Sequence, residues 1–436
     1  MKNHKSNLAI FGGTPVFFGQ LPSVHTLGTQ EIAAAVRVIK QGPLSGFLGS
    51  AGKAFLGGTE VLALEDEIKK KFKVKHAVSC NSATTGLHMA IVALGIGPGD
   101  EVILPTYTIS ATATAILMNG AVPIFADIDE RTFCIDPRSV EKLISKRTKA
   151  IIAVNIQGQG ADFSALIPLA KKHRIAIIED NAQAPGAMWR SKQLGTIGDI
   201  GVFSLNINKV IQSGEGGFLV TNNDTYALRA RLSRNHGEAV IDDMPDYDAG
   251  PIFGSNYRMT EVTAAIARVQ LKRLDYFTKK RVALAERLRK GLSGISGLEL
   301  PYVAKNNTHV YYRFVLRMNE ELLGISREQL FGAMKAEGFA LSKNIGKPIH
   351  MLSVFQTRKA FNKTDFPFGK NTYYDGNPNY SKGSCPVAER LCANEAASIS
   401  LCQYPRTTKH VDLLVKAFKK VLAHREELAE KFRPES

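Results

Sequence analysis

Short apolar runs alternate with segments of helical periodicity between about residue 75 and residue 220. Each run spans four or five residues and is mostly apolar, which is typical of strands buried within a sheet. Strand–helix alternation of this kind predicts a mainly parallel sheet with helices on both faces. The predicted strands are His76–Cys80, Glu101–Leu104, Val122–Ala126, Ala150–Val154, Ile175–Glu179, Ile200–Ser204 and Gly217–Thr221.

Helices are predicted between these strands and on either side of the sheet region. Before the first strand, the pattern predicts helices over Gln30–Lys40 and Glu60–Phe72, and after the last strand a long helix over Met259–Leu288. The helices predicted between strands lie near Thr84–Leu94, Ile109–Met118, Pro137–Ser145 and Asp162–His173.

A second, smaller unit is predicted after the long helix. From about residue 294 the chain mixes a strand, a helix, a stretch rich in Gly, Asn and Pro, and a terminal helix. These segments are Tyr311–Leu316, Arg327–Glu337, Asn362–Ser384 and Lys409–Lys431. We therefore predict a large domain over residues 1–285, including an N-terminal helical segment, and a smaller α+β domain over 286–436.

Composition and charge exclude several classes of protein. The 436 residues are 44% hydrophobic and 22% charged, which excludes a disordered chain. The net charge is +16, but the basic residues are scattered and no nucleic-acid-binding motif accompanies them, so no nucleic-acid partner is expected. An uninterrupted apolar run of about 18 residues is missing, so no membrane partner is expected. The five cysteines form no CxxC pair, no metal-ligand spacing occurs, and no secretory leader is apparent, which predicts a cytoplasmic protein without a bound metal.

Candidate chemistry lies directly after the predicted strands, where parallel sheets bind ligands. Small hydroxyl residues open the helix that begins near Ala83 and Thr84, and a helix N-terminus suits a phosphate. Ordinary capping by Ser or Thr explains the same residues. Tyr107 follows the second strand, where an aromatic ring could stack on a flat ligand or simply pack in the core.

Two charged residues follow later strands. Asp180 comes after a buried apolar strand, so its carboxylate needs a partner, either a cationic ring or an ordinary ion pair or cap. Lys209 stands among apolar and small residues before the glycine-rich turn 214–217, unlike most lysines of the chain. A partly desolvated lysine is a nucleophile that can form a Schiff base, although a surface lysine in a turn remains the alternative.

Taken in order, these residues match the needs of pyridoxal 5'-phosphate (PLP). The cofactor requires a phosphate cradle, an aromatic cover, a carboxylate for its ring nitrogen and a lysine for its aldehyde. The sequence contains no phosphate-binding GxxxxGK[ST] loop, no HExxH motif and no clear GxGxxG after a first strand. The sequence therefore favours PLP as the cofactor.

The chain resembles the DegT–DnrJ–StrS sugar aminotransferases, a family of fold-type-I PLP enzymes. The resemblance extends over nearly the whole length, and its most specific part is Ser204-x4-Lys209 followed by Gly214-Glu215-Gly216-Gly217. The other matching segments are Leu8–Gly13, Gly57-Gly58-Thr59, Gly254–Glu261 and Cys385–Glu389. The resemblance implies an α/β fold with a mainly parallel central sheet and a smaller C-terminal α+β domain.

The resemblance also implies roles for individual residues. Lys209 would form the Schiff base with PLP and move the proton, Asp180 would pair with the pyridinium nitrogen, and Gln183 would hydrogen-bond the phenolic oxygen. Tyr107 would stack on the ring. The phosphate would be held by Ala83, Thr84 and Ser204. Asn256 would reach the phosphate of the neighbouring subunit's cofactor, which implies a homodimer with shared active sites. Substrate contacts are expected from Gln157, His236, Tyr257, Arg258 and His309.

The implied reaction moves an amino group from L-glutamate or L-glutamine to a keto-sugar, and a nucleotide-linked keto-sugar is expected. Alternatives on the same scaffold are a cyclitol aminotransferase and an aminohydroxybenzoate synthase. The family also contains dehydratases with histidine in place of the lysine, and Lys209 argues against that reaction. A PLP-binding sensor without turnover is a further alternative, against which the Asp180–Lys209 pair argues.

Overall fold

A computed structural model describes residues 6–243 and 252–432 of the protein. The centre of the fold is a seven-stranded sheet with strand order β1-β9-β8-β5-β4-β2-β3. A three-stranded sheet (β10-β11-β12) and a hairpin (β6-β7) complete the strands. The strands are β1 His76–Cys80, β2 Glu101–Pro105, β3 Val122–Ala126, β4 Thr148–Val154, β5 Ala176–Asp180, β6 Met188–Trp189, β7 Lys192–Gln193, β8 Ile200–Ser204, β9 Gly217–Thr221, β10 Leu298–Glu299, β11 Phe314–Met318 and β12 Ala396–Ile399.

Helices surround the central sheet and form most of the C-terminal region. They are α1 Thr29–Gln41, α2 Thr59–Phe72, α3 Ala83–Ala93, α4 Ala111–Met118, α5 Pro137–Leu143, α6 Phe163–His173, α7 Asp224–Arg234, α8 Glu261–Leu292, α9 Glu320–Leu323, α10 Arg327–Ala336, α11 Ser353–Gln356, α12 Pro386–Arg390, α13 Thr408–Ala423 and α14 Arg425–Lys431. No helix in the described ranges combines the length and apolarity needed to cross a membrane.

The central sheet is mainly parallel, as the alternating pattern predicts. Strands β8, β5, β4, β2 and β3 run parallel to one another, whereas β9 is antiparallel to both of its neighbours, β1 and β8. The carboxyl ends of β1, β2, β5 and β8 therefore meet at one edge of the sheet. The residues that follow these strands are the candidates identified from the sequence.

The predicted elements agree with the observed ones to within a few residues, with two main differences. The predicted terminal helix is broken at His424 into α13 and α14. The predicted strand over 311–316 begins only at Phe314, because Tyr311 adopts a left-handed conformation with φ 48°. Helix α7 is an element that the sequence pattern did not indicate.

Helix α8 connects two apolar cores. Leu271 and Leu274 pack with Phe203 and Phe218 beneath the central sheet. Leu284, Leu288 and Leu292, further along the same helix, pack with residues of β11, α10 and α13. The predicted domain boundary between residues 285 and 286 falls inside this continuous helix and remains a prediction.

The end of β5 is held by a buried carboxylate. Glu179 is fully buried and accepts hydrogen bonds from the backbone N–H groups of Gly195 (2.7 Å), Ile197 (2.5 Å) and Gly198 (2.8 Å). Asn155 Nδ2 donates a fourth bond of 3.0 Å. Burial raises the pKa of Glu179, and these donors act in the opposite direction. Glu179 thus ties β5 to the loop that precedes β8.

Replacing Glu179 with glutamine is expected to lower the free energy of unfolding by about 2–4 kcal/mol. The amide NH2 would have to face backbone donors that now share a carboxylate oxygen. Chemical denaturation measures the change. Glu141→Gln, on the exposed face of α5, is the matched control with an expected change below about 0.5 kcal/mol. Equal effects of the two substitutions would contradict this role for Glu179.

Candidate active site

Asp180, the last residue of β5, carries a buried carboxylate at the carboxyl edge of the sheet. It is 4% exposed and accepts bonds from Thr112 Oγ1 (3.1 Å) and from the backbone N–H of Ala182 (3.2 Å). Burial raises the pKa of Asp180, whereas Ala182, the positive charge of Lys209 and Thr112 lower it. Two single bonds leave part of the carboxylate's acceptor capacity free for a cationic partner.

Lys209 lies in the connection between β8 and β9. This connection is a hairpin braced by backbone bonds from Leu205 N to Gly216 O (2.9 Å) and from Ile207 N to Gly214 O (2.8 Å). The side chain is half-buried, and Nζ lies 4.9 Å from the centroid of the Tyr312 ring. The bracing and the aromatic contact together hold the amine near Asp180, whose pKa its charge lowers.

The N-terminus of α3 forms an open cradle beside this hairpin. Ser82 caps the helix by accepting the N–H of Thr85 at 3.1 Å. Within the described chain, the N–H groups of Ala83 and Thr84 have no acceptor, as expected for a first helical turn. A Cβ added to Gly217 would lie 2.7 Å from Ala83 N, so only glycine allows this close approach of β9. Free N–H groups at a positive dipole end favour an anion.

Ser204 and Tyr107 lie at the ends of β8 and β2. Ser204 is paired with Gly217 across the sheet, which places its hydroxyl next to the cradle, and it accepts the N–H of Asn206 at 3.3 Å. Tyr107 is fully buried, with its ring 5.3 Å from that of Phe133. Its hydroxyl accepts a 3.2 Å bond from Asn344 Nδ2, and burial raises its pKa.

Gln183 and Gln157 are joined by a hydrogen bond. Gln183 Oε1 accepts the backbone N–H of Gln157 at 2.8 Å. Gln157 is 1% exposed and left-handed (φ 61°), and its Nε2 has no partner in the described chain. A buried amide donor without an acceptor is rare in folded proteins, and a bound ligand is one explanation.

His309 carries a second buried donor of this kind. It is 3% exposed, its Nδ1 accepts the N–H of Tyr311 at 2.8 Å, and its ring stacks on that of Tyr311 at 4.1 Å. Because Nδ1 accepts, the proton lies on Nε2, which has no partner among the described residues. The adjacent Val310 N–H donates to Gly158 O at 2.8 Å, so the loops of His309 and Gln157 are in contact.

The stability of the protein is expected to depend on pH through His309. Burial lowers the pKa of His309 to about 3, whereas an unfolded histidine titrates near 6.5. Below pH 6.5 the unfolded chain therefore binds a proton that the folded chain excludes, and stability falls as pH decreases toward 3. Between pH 7.5 and pH 5, the wild type should lose about 2 kcal/mol more than His309→Gln in chemical denaturation. Parallel pH profiles would contradict this assignment.

Four other predicted site residues lie on the segment before α8, in contacts of their own. Tyr257 Oη lies 3.1 Å from His88 Nδ1, and Arg258 Nε donates to Asn235 Oδ1 at 2.7 Å. His236 is 42% exposed at its side chain and lies 3.5 Å from Glu238. Asn256 is exposed. Within the described residues, no hydrogen bond or ion pair joins any of these four to Asp180 or Lys209.

Three residues of the site were missed by sequence reasoning. Thr112 bonds Asp180, Tyr312 contacts Lys209, and Asn344 bonds Tyr107. Each is far in sequence from the residue that it contacts. The aromatic pair Tyr311-Tyr312 beside Arg313 was the one local signal that could have suggested a ligand site.

The residues of this site fit PLP. Asp180 offers a buried carboxylate for a ring N–H, α3 offers free N–H groups for a phosphate, and Lys209 offers an amine near Asp180. Gln183 lies on the turn that follows Asp180 and would be available to a ring substituent. Within the described residues, no three His, Cys, Asp or Glu side chains could hold a metal ion.

The central sheet with this site at its carboxyl edge places the protein among the PLP-dependent aminotransferases. The chain belongs to the DegT/DnrJ/EryC1/StrS aminotransferase family, whose profile matches residues 49–376. This membership confirms the family and the fold class expected from the sequence.

Named relatives and solved structures are similar over most of the chain. A GDP-perosamine synthase from Caulobacter vibrioides is 40% identical over 280 residues, 64% of this chain and 74% of the relative. A putative L-glutamine:3-amino-2,3-dideoxy-scyllo-inosose aminotransferase from Streptoalloteichus tenebrarius is 34% identical over 429 residues, 95% and 98% of the two chains. The structure of an aminotransferase from Psychrobacter cryohalolentis matches with a TM-score of 0.78 and 27% identity, covering 93% and 99%.

Proposed function

We propose that this protein binds PLP and transfers an amino group from L-glutamate or L-glutamine to a nucleotide-linked keto-sugar. The observation that carries the proposal is the Asp180–Lys209 pair beside the open N-terminus of α3. The similarity to a GDP-perosamine synthase supports a nucleotide-linked acceptor. The net charge of +16 suits a diphosphate-bearing substrate.

When bound, PLP supplies an electron sink for the carbon that carries the amino group. The chain's own residues would supply the remaining functions. Asp180 would hold a proton at the ring nitrogen, and the N–H groups of Ala83 and Thr84, with the Ser204 hydroxyl, would bind the phosphate. Tyr107 would cover the ring, and Gln183 would bind the phenolic oxygen. Lys209 would hold the cofactor through its amine and would take and return a proton at the amino-bearing carbon.

Two buried donors support a polar acceptor substrate. Gln157 Nε2 and His309 Nε2 both lack partners within the described chain, and their loops are in contact. A sugar hydroxyl is an acceptor of the kind that these N–H groups need. We assign both residues to the acceptor side of the site.

A cyclitol ketone is the second candidate acceptor. The relative named as a scyllo-inosose aminotransferase aligns with 95% of this chain, against 64% for the GDP-perosamine synthase. Both acceptors carry hydroxyls around a ring ketone, so the same donors would serve either one.

The proposal is tested by the visible absorption spectrum of the purified protein before and after addition of L-glutamate or L-glutamine. A yellow band that bleaches on addition of a donor supports bound PLP and a working transfer half-reaction. Nucleotide-linked keto-sugars and keto-cyclitols, added to the bleached protein, should then restore the band selectively. A protein that shows no band even after PLP is supplied would overturn the proposal.

We also propose a cytoplasmic homodimer in which Asn256 reaches the phosphate of the neighbouring subunit's cofactor. Asn256 is exposed, and its side chain has no partner within the described chain. Apolar residues on α1 are also exposed, among them Ile32 (64% exposed) and Ile39 (59% exposed), and a subunit interface would bury them. All five cysteines are buried and unpaired, which suits a reducing compartment. Sedimentation at equilibrium measures the assembly, and a monomer at micromolar concentration would contradict it.

A further inference from the structure

Residues 344–389, the edge segment, lie along the outer edge of the central sheet that β2 and β3 form. Tyr374 Oη donates to Glu101 Oε1 at 2.9 Å, at the start of β2. Tyr380 Oη donates to the backbone carbonyl of Pro123, in β3, at 2.7 Å. Both tyrosines are buried, so these bonds fix the segment against the sheet.

A buried chain of hydrogen bonds joins the edge segment to Thr106, the residue that follows β2. Thr106 and His350 are both fully buried. Thr106 Oγ1 lies 2.6 Å from His350 Nδ1, and His350 Nε2 lies 3.1 Å from Glu389 Oε1. Two backbone N–H groups of the segment also reach Thr106. That of Ile349 donates to its carbonyl at 2.9 Å, and that of His350 donates to its hydroxyl at 3.3 Å.

The chain of hydrogen bonds has one direction. Within the described residues, the Thr106 hydroxyl proton has no acceptor other than His350 Nδ1, so the ring proton lies on Nε2 and is donated to Glu389. Burial lowers the pKa of His350 and favours this neutral ring, although Glu389 acts in the opposite direction. Glu389 also accepts the backbone N–H of Gly383 at 2.8 Å. Each side chain is therefore held from both sides.

The edge segment also holds Tyr107, the next residue along the chain. The β2–β3 ladder ends at Pro105, and beyond it the one ladder-like bond runs from Thr106 N to Ala126 O at 3.1 Å. Asn344 Nδ2 donates to Tyr107 Oη at 3.2 Å. The position of Tyr107 therefore depends on the edge segment at its hydroxyl and, through Thr106, at its backbone.

We propose that His350 is a positioning residue that holds Tyr107 against the PLP ring through Thr106; this inference rests on the proposed function. Apolar packing alone would have filled this buried place, whereas a chain of directional hydrogen bonds fixes a single arrangement. A side chain that covers a flat ring must stay in van der Waals contact with it, and a shift of a few tenths of an ångström weakens that contact. Glu389 orients the His350 ring for this purpose.

The test compares Thr106→Val, which removes the hydroxyl and keeps the shape, with Thr106→Ser, which keeps the hydroxyl. Thr114→Val, on the exposed face of α4, is the matched control. Bound PLP is removed and titrated back into each protein, and visible circular dichroism then reports the orientation of the bound ring. In Thr106→Val we expect the dissociation constant for PLP to rise about tenfold and the visible dichroism to change. Thr106→Ser and the control should stay close to the wild type.

A double substitution tests whether His350 acts through Thr106. His350→Leu should weaken PLP binding about as much as Thr106→Val, and the double variant should be no weaker than either single variant, because both remove the same link. Additive losses would overturn the inference. If His350→Leu does not fold, as far-ultraviolet circular dichroism would show, Thr106→Val and Thr106→Ser decide the question without it.

A purely structural role of the chain gives a different result. A Thr106→Val protein that melts at a lower temperature, but binds PLP with wild-type affinity and dichroism, would overturn the inference. Failure of the proposed function is seen separately in the wild type, as no binding of PLP or as bound PLP that no amino donor bleaches. In the second case the PLP titrations still decide the role of His350.

Discussion

Replacing Lys209 with alanine is expected to reduce amino-group transfer by at least about 10⁴-fold. The amine is held on a braced hairpin, 4.9 Å from the Tyr312 ring, and its charge lowers the pKa of Asp180. Within the described residues, no other lysine contributes to the charge environment of Asp180. The variant should still bind PLP, because Asp180 and the α3 cradle remain. Single-turnover absorbance with L-glutamate measures the loss.

Lys171→Ala is the matched control for this prediction. Lys171 lies on the exposed side of α6 and has no place in the site, so activity should remain at the wild-type level. A Lys209→Ala protein that keeps a tenth or more of wild-type turnover would exclude Lys209 as the proton-moving residue. Loss of folding would be recognised by circular dichroism and would require Lys209→Arg as the second variant.

Replacing Asp180 with asparagine is expected to lower turnover by about 10³-fold while leaving the fold intact. An amide cannot balance a protonated ring nitrogen, so the ring would lose much of its capacity as an electron sink. PLP affinity should also fall. Absorbance titration with PLP and turnover with a keto-sugar measure the two effects.

The melting temperature distinguishes a cofactor-binding role of Asp180 from a role in stabilising the fold. Burial raises the pKa of Asp180, so the ionised carboxylate is unfavourable in the protein without its cofactor. Asp180→Asn should therefore unfold at the same temperature as the cofactor-free wild type or higher, although Glu179→Gln, one residue earlier, should unfold lower. A large drop in the melting temperature of Asp180→Asn would show that Asp180 holds the fold rather than the cofactor.

The sequence alone was sufficient for the central sheet and for the placement of Asp180 and Lys209. Parallel strands buried on both faces produce strong apolar runs, so His76–Cys80, Val122–Ala126, Ile200–Ser204 and Gly217–Thr221 have the predicted bounds. Polar residues directly after such runs must lie at one edge of the sheet. This rule predicts, from the sequence alone, that Asp180 lies at that edge.

Contacts between distant segments could not be predicted in this way. The carboxylate of Glu179 is satisfied by the loop 195–198, and Asp180 by Thr112 of α4. Arg281 of α8 bonds the carbonyls of Tyr311 and Tyr312, and Arg313 bonds Ser400, so these contacts link segments 30 or more residues apart. Periodicity reports which face of an element is buried, but it does not report which partner covers that face.

The order of strands in the central sheet has a consequence for biosynthesis of the protein. β1 is the first strand of the sheet to leave the ribosome, yet among the described strands it lies at the edge and pairs only with β9, which follows about 140 residues later. The nascent chain must therefore carry an unpaired β1 until β9 is made, and the cradle at α3 cannot close before then. Chains that stop short of β9 should expose this strand edge and be the species most prone to aggregate or to be captured by chaperones.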